Sequence, residues 1–458
     1  MAELVRSEND LPTIRILLGG TVDSRSDVIF EIVRGKGESY EITRCTTADL
    51  CLPDGPTPDL RMANDCRLPE GVLRVLEMAV NQPGFAAEST SNAIWLELPS
   101  PRGYLHLVPW ERLLVTLKRP VLRLPYHTLR PQASANTLEI ALCASSPSAK
   151  AGFDTAAVLA DMTNAWLYHA GHAVTLHLFT DVIGYKDILA LAAKHAPAVV
   201  VHDPHIADAY DEPAPTTRLS DSTMLTSPWL RWIQAELSGR AVDVVHFVTH
   251  GYLSGQRGAI AFAGSPTHNV DTRLARFVGA AEMSSFVGQV GAWALVLGGP
   301  PHNFSPVGLR EFADTSALQR PGATIVHELD LDPHGKDFSE IVEMVFAGWP
   351  SVLHPMPGVT CWVHPGFVEY PPGEQDALHL TQSGHSSLIL EATENVMASG
   401  VTPAWVAAST RFLETQQSEW LPDSPDQVVH PAAASALESV SSLLERHVSK
   451  HLGGGQHL

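Results

Sequence analysis

The segment VDVVHFVTHG, residues 242–251, sets His250 and Gly251 just beyond an apolar run that reads as a central β-strand, Val242–Val248. In a doubly wound α/β sheet, ligands and reacting groups collect at the carboxyl ends of the strands. An imidazole there suits proton abstraction, because a neighbouring base is what turns a thiol or hydroxyl into a nucleophile. The glycine beside it leaves room for a substrate and offers an N–H to a developing oxyanion. The neighbouring strand is then expected to deliver the nucleophile, and the second strong apolar run, Ala292–Leu297, is the strand in question.

The elements that must position these groups follow from periodicity and punctuation. Short strands are predicted at Ile14–Leu18, Val28–Val33 and Tyr40–Arg44, then a helix at Pro69–Val80 with Val72, Leu73, Leu76 and Val80 on one stripe. Ile94–Leu98 and Tyr104–Val108 read as two more strands, and Pro109 opens a helical turn. From residue 137 strand and helix alternate, the pattern of a parallel sheet with crossover helices: strands at Thr137–Ser145, Ala173–Phe179 and Pro197–Val201, and helices from Asp154 and at Tyr185–Lys194 and Pro228–Leu237. A hairpin at Gly255–Gly264 and a helix at Ala281–Val290 lead to Ala292–Leu297. Ser305 then caps a helix with Pro306 at its first position, the strand Ala323–His327 follows, and Phe338, Ile341, Val342 and Val345 mark a further helix. Residues 203–228 read as a polar surface insertion. The Pro-, Gly- and His-rich stretch 350–372 carries no clear pattern, and helices are predicted within 384–450, one capped by Thr402 and one at Ala432–Lys450.

Composition narrows the function classes. The 458 residues are 45% hydrophobic and 17% charged, enough apolar side chain for a large core and too few charges for disorder. A formal net charge of −20 with no cluster of Lys and Arg excludes the usual electrostatics of nucleic-acid binding. The five cysteines, Cys45, Cys51, Cys66, Cys143 and Cys361, form no CxxC pair or zinc spacing, as expected of reduced cytoplasmic thiols. The first residues show no basic region followed by an apolar stretch, and nowhere do about 18 apolar residues run together, so neither secretion nor a membrane partner is expected. The preference for Arg over Lys and the abundance of Ala suggest a bacterial source.

Other residues of reactive type have simpler readings. His246 shares a face with His250 by the period of two, and is expected to be a core histidine. The glycines of GGPPHNFS resemble a phosphate cradle only loosely, with neither a following Lys nor GxGxxG spacing, and a tight turn is the better account. The run His202–Asp208 has ligand-type residues but lacks convergent partners, so no metal or cofactor is expected. Trp95, Trp110, Trp166 and Trp405 lie on apolar stripes and belong to the core, and Asp330 and Asp332 are placed to line the crevice beyond Ala323–His327.

Three segments together resemble the CHAT domains, bacterial relatives of caspases and separase. GYLHLVPWERLL (Gly103–Leu114) is similar to the family's early Pro-Trp-Glu motif, VVHFVTHG (Val244–Gly251) to its histidine strand, and LQRPGATIVHELDLD (Leu318–Asp332) to its helix-to-strand passage. The resemblance covers roughly residues 94–350. It implies a caspase-like α/β fold: a β-rich part at 1–125, a mostly parallel core at 130–350 flanked by helices, and helical material at 384–450. It also implies His250 and Gly251 as catalytic positions. The family's cysteine falls at Gly299 or Pro300, where no side chain can attack, so the expected function is that of a catalytically inactive pseudoprotease. Such a chain is expected to serve as a signalling or scaffold subunit beside another protein of a bacterial defence or regulatory system. Two alternatives remain open: an active peptidase with a displaced nucleophile, Cys361 or Ser305, and a small-ligand-binding α/β domain using the crevice at 250–254 and 298–306.

Overall fold

The computed structural model describes residues 11–369, except 23–24, 35–37, 53–58, 83–84, 86–90, 101, 128–136, 148–151, 211–224, 238–239, 268–274 and 348–353. The chain divides into two compact units, Met1–Pro372 and Gly373–Leu458, and the described residues belong to the first. The helices expected within 384–450, with Thr402 and Trp405, lie outside the described residues.

The chain starts as an antiparallel meander of β1 (Thr13–Val22), β2 (Arg25–Arg34) and β3 (Glu38–Thr46), followed by helix α1 (Glu70–Val80). Strand β4 (Ile94–Glu97), the short helix α2 (Trp110–Leu113) and strand β5 (Val121–Arg123) come next. The alternating section follows: β6 (Thr137–Ala144), α3 (Thr155–His169), β7 (Ala173–Phe179), α4 (Tyr185–His195), β8 (Val199–Val201), α5 (Pro228–Glu236) and β9 (Val244–Val248). After β9 the chain makes a small sheet of β10 (His250–Ser254), β11 (Arg257–Ala263) and β12 (Ala275–Gly279). It then continues through α6 (Ala280–Gln289), β13 (Ala294–Gly299), α7 (Pro306–Gln319), β14 (Thr324–Glu328), α8 (Lys336–Val342) and β15 (Val359–Trp362).

Among the described residues one sheet holds twelve strands, in the order β3-β2-β1-β4-β5-β15-β14-β13-β9-β6-β7-β8. From β8 to β14 every neighbour is parallel. Strand β15 pairs antiparallel with β14 and parallel with β5, so it joins that block to the N-terminal strands, which run the other way through β4 and β1. The outcome is an α/β fold with a large, mostly parallel central sheet flanked by helices. One face is covered by α3, α4 and α8 through Leu159, Ile188 and Phe338. The other is covered by α5, α6 and α7 through Trp232, Phe286 and Phe312. Strands covered on both faces are mostly apolar, and all five residues of β9 are buried, His246 among them with the Trp166 indole as its partner.

Several local signals act as expected. Asp154 caps α3 by accepting the Ala157 N–H at 3.0 Å, and Ser305 caps α7 through the Gly308 N–H at 2.9 Å. The segment Tyr104–Val108 is a correction, since it folds as a 3-10 turn, Leu105–Leu107, in place of a strand. Gly103 takes the left-handed conformation at φ 49°, and the Trp110 indole donates to the Leu105 carbonyl at 2.7 Å, curling the segment on itself. The unassigned stretch at 350–372 supplies β15.

Buried ion pairs hold the N-terminal strands to the parallel block. Arg123 and Glu111, each 2% exposed, meet at 2.7 and 3.2 Å, and Thr360 on β15 donates to the same carboxylate at 3.1 Å. Arg102 grips Asp314 of α7 with two hydrogen bonds, and the fully buried Arg310 reaches Glu328, the Leu107 carbonyl and Asn64. Removing one partner of a buried pair strands the other charge. Glu111→Ala is therefore expected to cost about 3–5 kcal/mol in urea unfolding, with Glu111→Leu/Arg123→Met recovering part of it. A loss below about 1 kcal/mol in the single variant contradicts the assignment.

Candidate functional site

Strands β9 and β13 lie side by side and parallel, with Ala294 opposite Val244 and Gly298 opposite Val248. Their carboxyl ends therefore open onto one edge. The chain leaves β9 through Thr249, whose N–H bonds Gly298 O at 3.0 Å, and turns into β10 at His250. It leaves β13 at Gly299 and crosses to α7 through the loop 300–305. These two exits bring His250, Gly251, Gly299 and Pro300 together, the four positions singled out in the sequence.

The imidazole of His250 is fully buried, at 0% exposure. Phe304 stacks on one face with centroids 4.1 Å apart and planes 21° apart, and Phe153, from the loop after β6, meets the ring edge-on at 5.9 Å. The Phe304 N–H donates to His250 Nδ1 at 3.2 Å. A neutral ring that accepts at Nδ1 carries its proton on Nε2.

Gly251 is needed for contact, because a Cβ there comes within 2.4 Å of Ser305 O and 2.7 Å of Leu309 N. The space expected to admit a substrate is taken by the start of α7. Its N–H, expected to serve an oxyanion, donates to Asn303 Oδ1 at 2.8 Å. At Gly299 a Cβ meets Asn303 Nδ2 at 2.8 Å, and at Gly298 one meets the Val248 side chain at 3.0 Å. Asn303, Phe304 and Phe153 were not singled out in the sequence. Asn303 lay in view inside the loop GGPPHNFSP, but its position carries no period or motif.

The other expectations separate. Cys361 lies on β15, three strands from β9, or about 14 Å at the usual strand spacing. It is buried, and burial pushes its thiol well above the usual range. Cys143 sits buried on β6 with its thiol raised for the same reason. The Ser305 hydroxyl accepts from Gly308 N as the helix cap. The loop amides have partners within the chain: His302 N–H on Asp330 Oδ2 at 2.9 Å, Phe304 N–H on His250, and Ser305 N–H on Asn303 Oδ1 at 3.4 Å. Asp332 takes the His327 ring and the N–H groups of Lys336 and Phe338 at the start of α8.

His246 is a core residue: the Trp166 indole donates to its Nδ1 at 3.1 Å. Burial, with His327 adding, holds its pKa well below the usual imidazole range. His202 enters a chain of hydrogen bonds, Glu139 to His177 at 3.0 Å, His177 to His202 at 3.1 Å and His202 to Glu236 at 2.9 Å. Among the described residues no group of three or more His, Cys, Asp or Glu is placed to hold a metal ion, and no helix is long and apolar enough to cross a membrane.

No protein-family model and no curated protein matches the chain. Among solved structures, the chain has a weak likeness to an aspartate-to-alanine mutant of the PilB minor pilin from Streptococcus sanguinis. The identity is 10%, the TM-score 0.22, and the match covers 73% of this chain and 78% of that one.

The contact at Gly251 has a direct test. Gly251→Ala forces a methyl into backbone and is expected to lose at least about 2 kcal/mol, with faster amide exchange at 305–309. A Cβ at Gly288 on α6 meets nothing within 4 Å, so Gly288→Ala is the control and is expected to gain up to about 1 kcal/mol. Equal melting temperatures for the two variants contradict the contact.

Proposed function

We propose that this chain is a caspase-like pseudoprotease of the CHAT type, a signalling or scaffold subunit that keeps the histidine edge of a peptidase without its nucleophile. The observation that carries this reading is the pairing of two exits: His250 and Gly251 follow β9, and the adjacent parallel strand β13 ends in Gly299 and Pro300. In a cysteine peptidase the imidazole and the thiol must face each other across such an edge. With hydrogen and a pyrrolidine ring at the two candidate positions, the covalent step has no atom to start from.

The strand arrangement adds support, because the histidine strand and its neighbour sit centrally in one parallel block. So does the early motif: Trp110 and Glu111 are buried beside the same sheet, and Glu111 receives Arg123. The reading with a displaced nucleophile loses ground through Cys361, which is remote and raised in pKa. The reading as a small-ligand domain loses ground through the loop amides of His302, Phe304 and Ser305, each occupied by the protein itself. A partner protein in the same cytoplasmic bacterial system completes the proposal.

The test compares wild type with His250→Gln in the native host by affinity capture and mass spectrometry, scoring both bound proteins and new cleavage termini. A pseudoprotease gives the same bound proteins for both and no termini specific to wild type. Cleavage termini that vanish in the variant overturn the reading.

A further inference from the structure

Asn303 and Phe304 touch both groups that a peptidase edge presents to its substrate. The Gly251 N–H, placed to receive a carbonyl oxygen, receives the carboxamide oxygen of Asn303 at 2.8 Å. The face of His250 is covered by Phe304, and Nδ1 is taken by the Phe304 N–H. The carboxamide nitrogen of Asn303 is buried and has no hydrogen-bond partner among the described residues. It lies 2.8 Å from where a Cβ on Gly299 belongs. A buried amide N–H₂ without an acceptor is unfavourable, so this placement has to be held by the contacts on either side of it. Those contacts are the two hydrogen bonds accepted by Asn303 Oδ1, from Gly251 and Ser305, and the anchoring of His302 by Asp330.

We propose that the loop Pro300–Phe304 is an internal plug, in which the Asn303 carboxamide takes the seat of a substrate carbonyl and Phe304 seals the imidazole. The proposal rests on the reading of His250 and Gly251 as a peptidase edge. It adds that the edge is shut in cis by this loop, beyond the loss of the nucleophile. Phe304 is 53% exposed while the ring beneath it is at 0%, so the plug is a thin cover reached from solvent.

Two consequences follow for a thiol placed at 299. Alone, it collides with Asn303 Nδ2, and His250 keeps Phe304 over its face and the Phe304 N–H on Nδ1. With Asn303 shortened, the collision goes and the loop is released from Gly251, so His250 gains access to the sulfur.

The experiment uses the full chain with Gly299→Cys, Asn303→Ala and the two combined. Each is treated with iodoacetamide and followed peptide by peptide by mass spectrometry, with the exposed Cys51 as internal reference. In the labelling step the thiolate forms a C–S bond as the C–I bond breaks and iodide leaves, and the thiol proton passes to His250. The combined variant is expected to label at position 299 about tenfold faster than Gly299→Cys at neutral pH, the gain from lowering a thiol pKa by one unit. Equal rates in the two overturn the plug.

Adding His250→Gln to the combined variant separates the two layers of the argument. A rate that then falls supports both, whereas an unchanged fast rate supports the plug and overturns the peptidase-edge reading. If the Gly299→Cys chains do not fold, amide exchange of Gly251 decides. Exchange about tenfold faster in Asn303→Ala than in wild type supports the plug, the amide having lost its acceptor, and equal exchange overturns it.

Discussion

The closed edge depends on one close approach, the backbone of Gly251 against the first turn of α7. With no Cβ at 251, Ser305 O and Leu309 N come to where a side chain would stand, and the helix starts directly over the end of β9. From there the loop back to β13 has only residues 300–305 to span the gap, which presses Asn303 onto the Gly251 N–H and Phe304 onto His250. The absence of a side chain at Gly299 is the matching half, since a thiol or hydroxyl there needs the volume Asn303 fills. Helix α7 is itself fixed from its far side by Arg310 and Asp314, which reach Glu328, Asn64 and Arg102. The helix that packs on Gly251 is thus also tied to the buried ion pairs at the join between the two blocks of strands.

Much of the scaffold was legible in the sequence because the signals were local. The strands β6, β7, β9, β13 and β14 are apolar runs, and the caps at Asp154 and Ser305 are side-chain hydrogen bonds spanning three residues. The position of His250 followed from the end of such a run. What escaped depends on distant partners. The three residues of β5 and four of β15 have too little length to show a period, and they become strands only by pairing with one another and their neighbours. The segment Tyr104–Val108 alternates like a strand, yet Gly103 and the Trp110 indole curl it into a turn.

The candidate site shows the same division. The sequence placed His250 and Gly299 at the ends of two apolar strands, and the resemblance to CHAT domains is what marked Gly299 or Pro300 as the position of a missing nucleophile. It gave no hint that Phe153, from the loop after β6, lies against His250, since more than ninety residues separate them in the chain. It also suggested an open seat beside Gly251, where the structure has helix. That difference arises because a glycine serves equally for admitting a ligand and for admitting the chain's own backbone, and only the fold distinguishes the two. The signal that was available and passed over is the lone Arg123 in the apolar strand VLR, a buried cation that requires an acid nearby and finds Glu111.

The central claim is that, among the described residues, no thiol or hydroxyl is placed against His250 as a nucleophile. Intact-mass analysis of the wild-type chain after treatment with an acyloxymethyl ketone, selective for active thiols, and a fluorophosphonate, selective for active hydroxyls, tests it most directly. The account predicts no adduct with either reagent beyond what the denatured chain shows. An adduct on the folded protein that disappears in His250→Gln would contradict it.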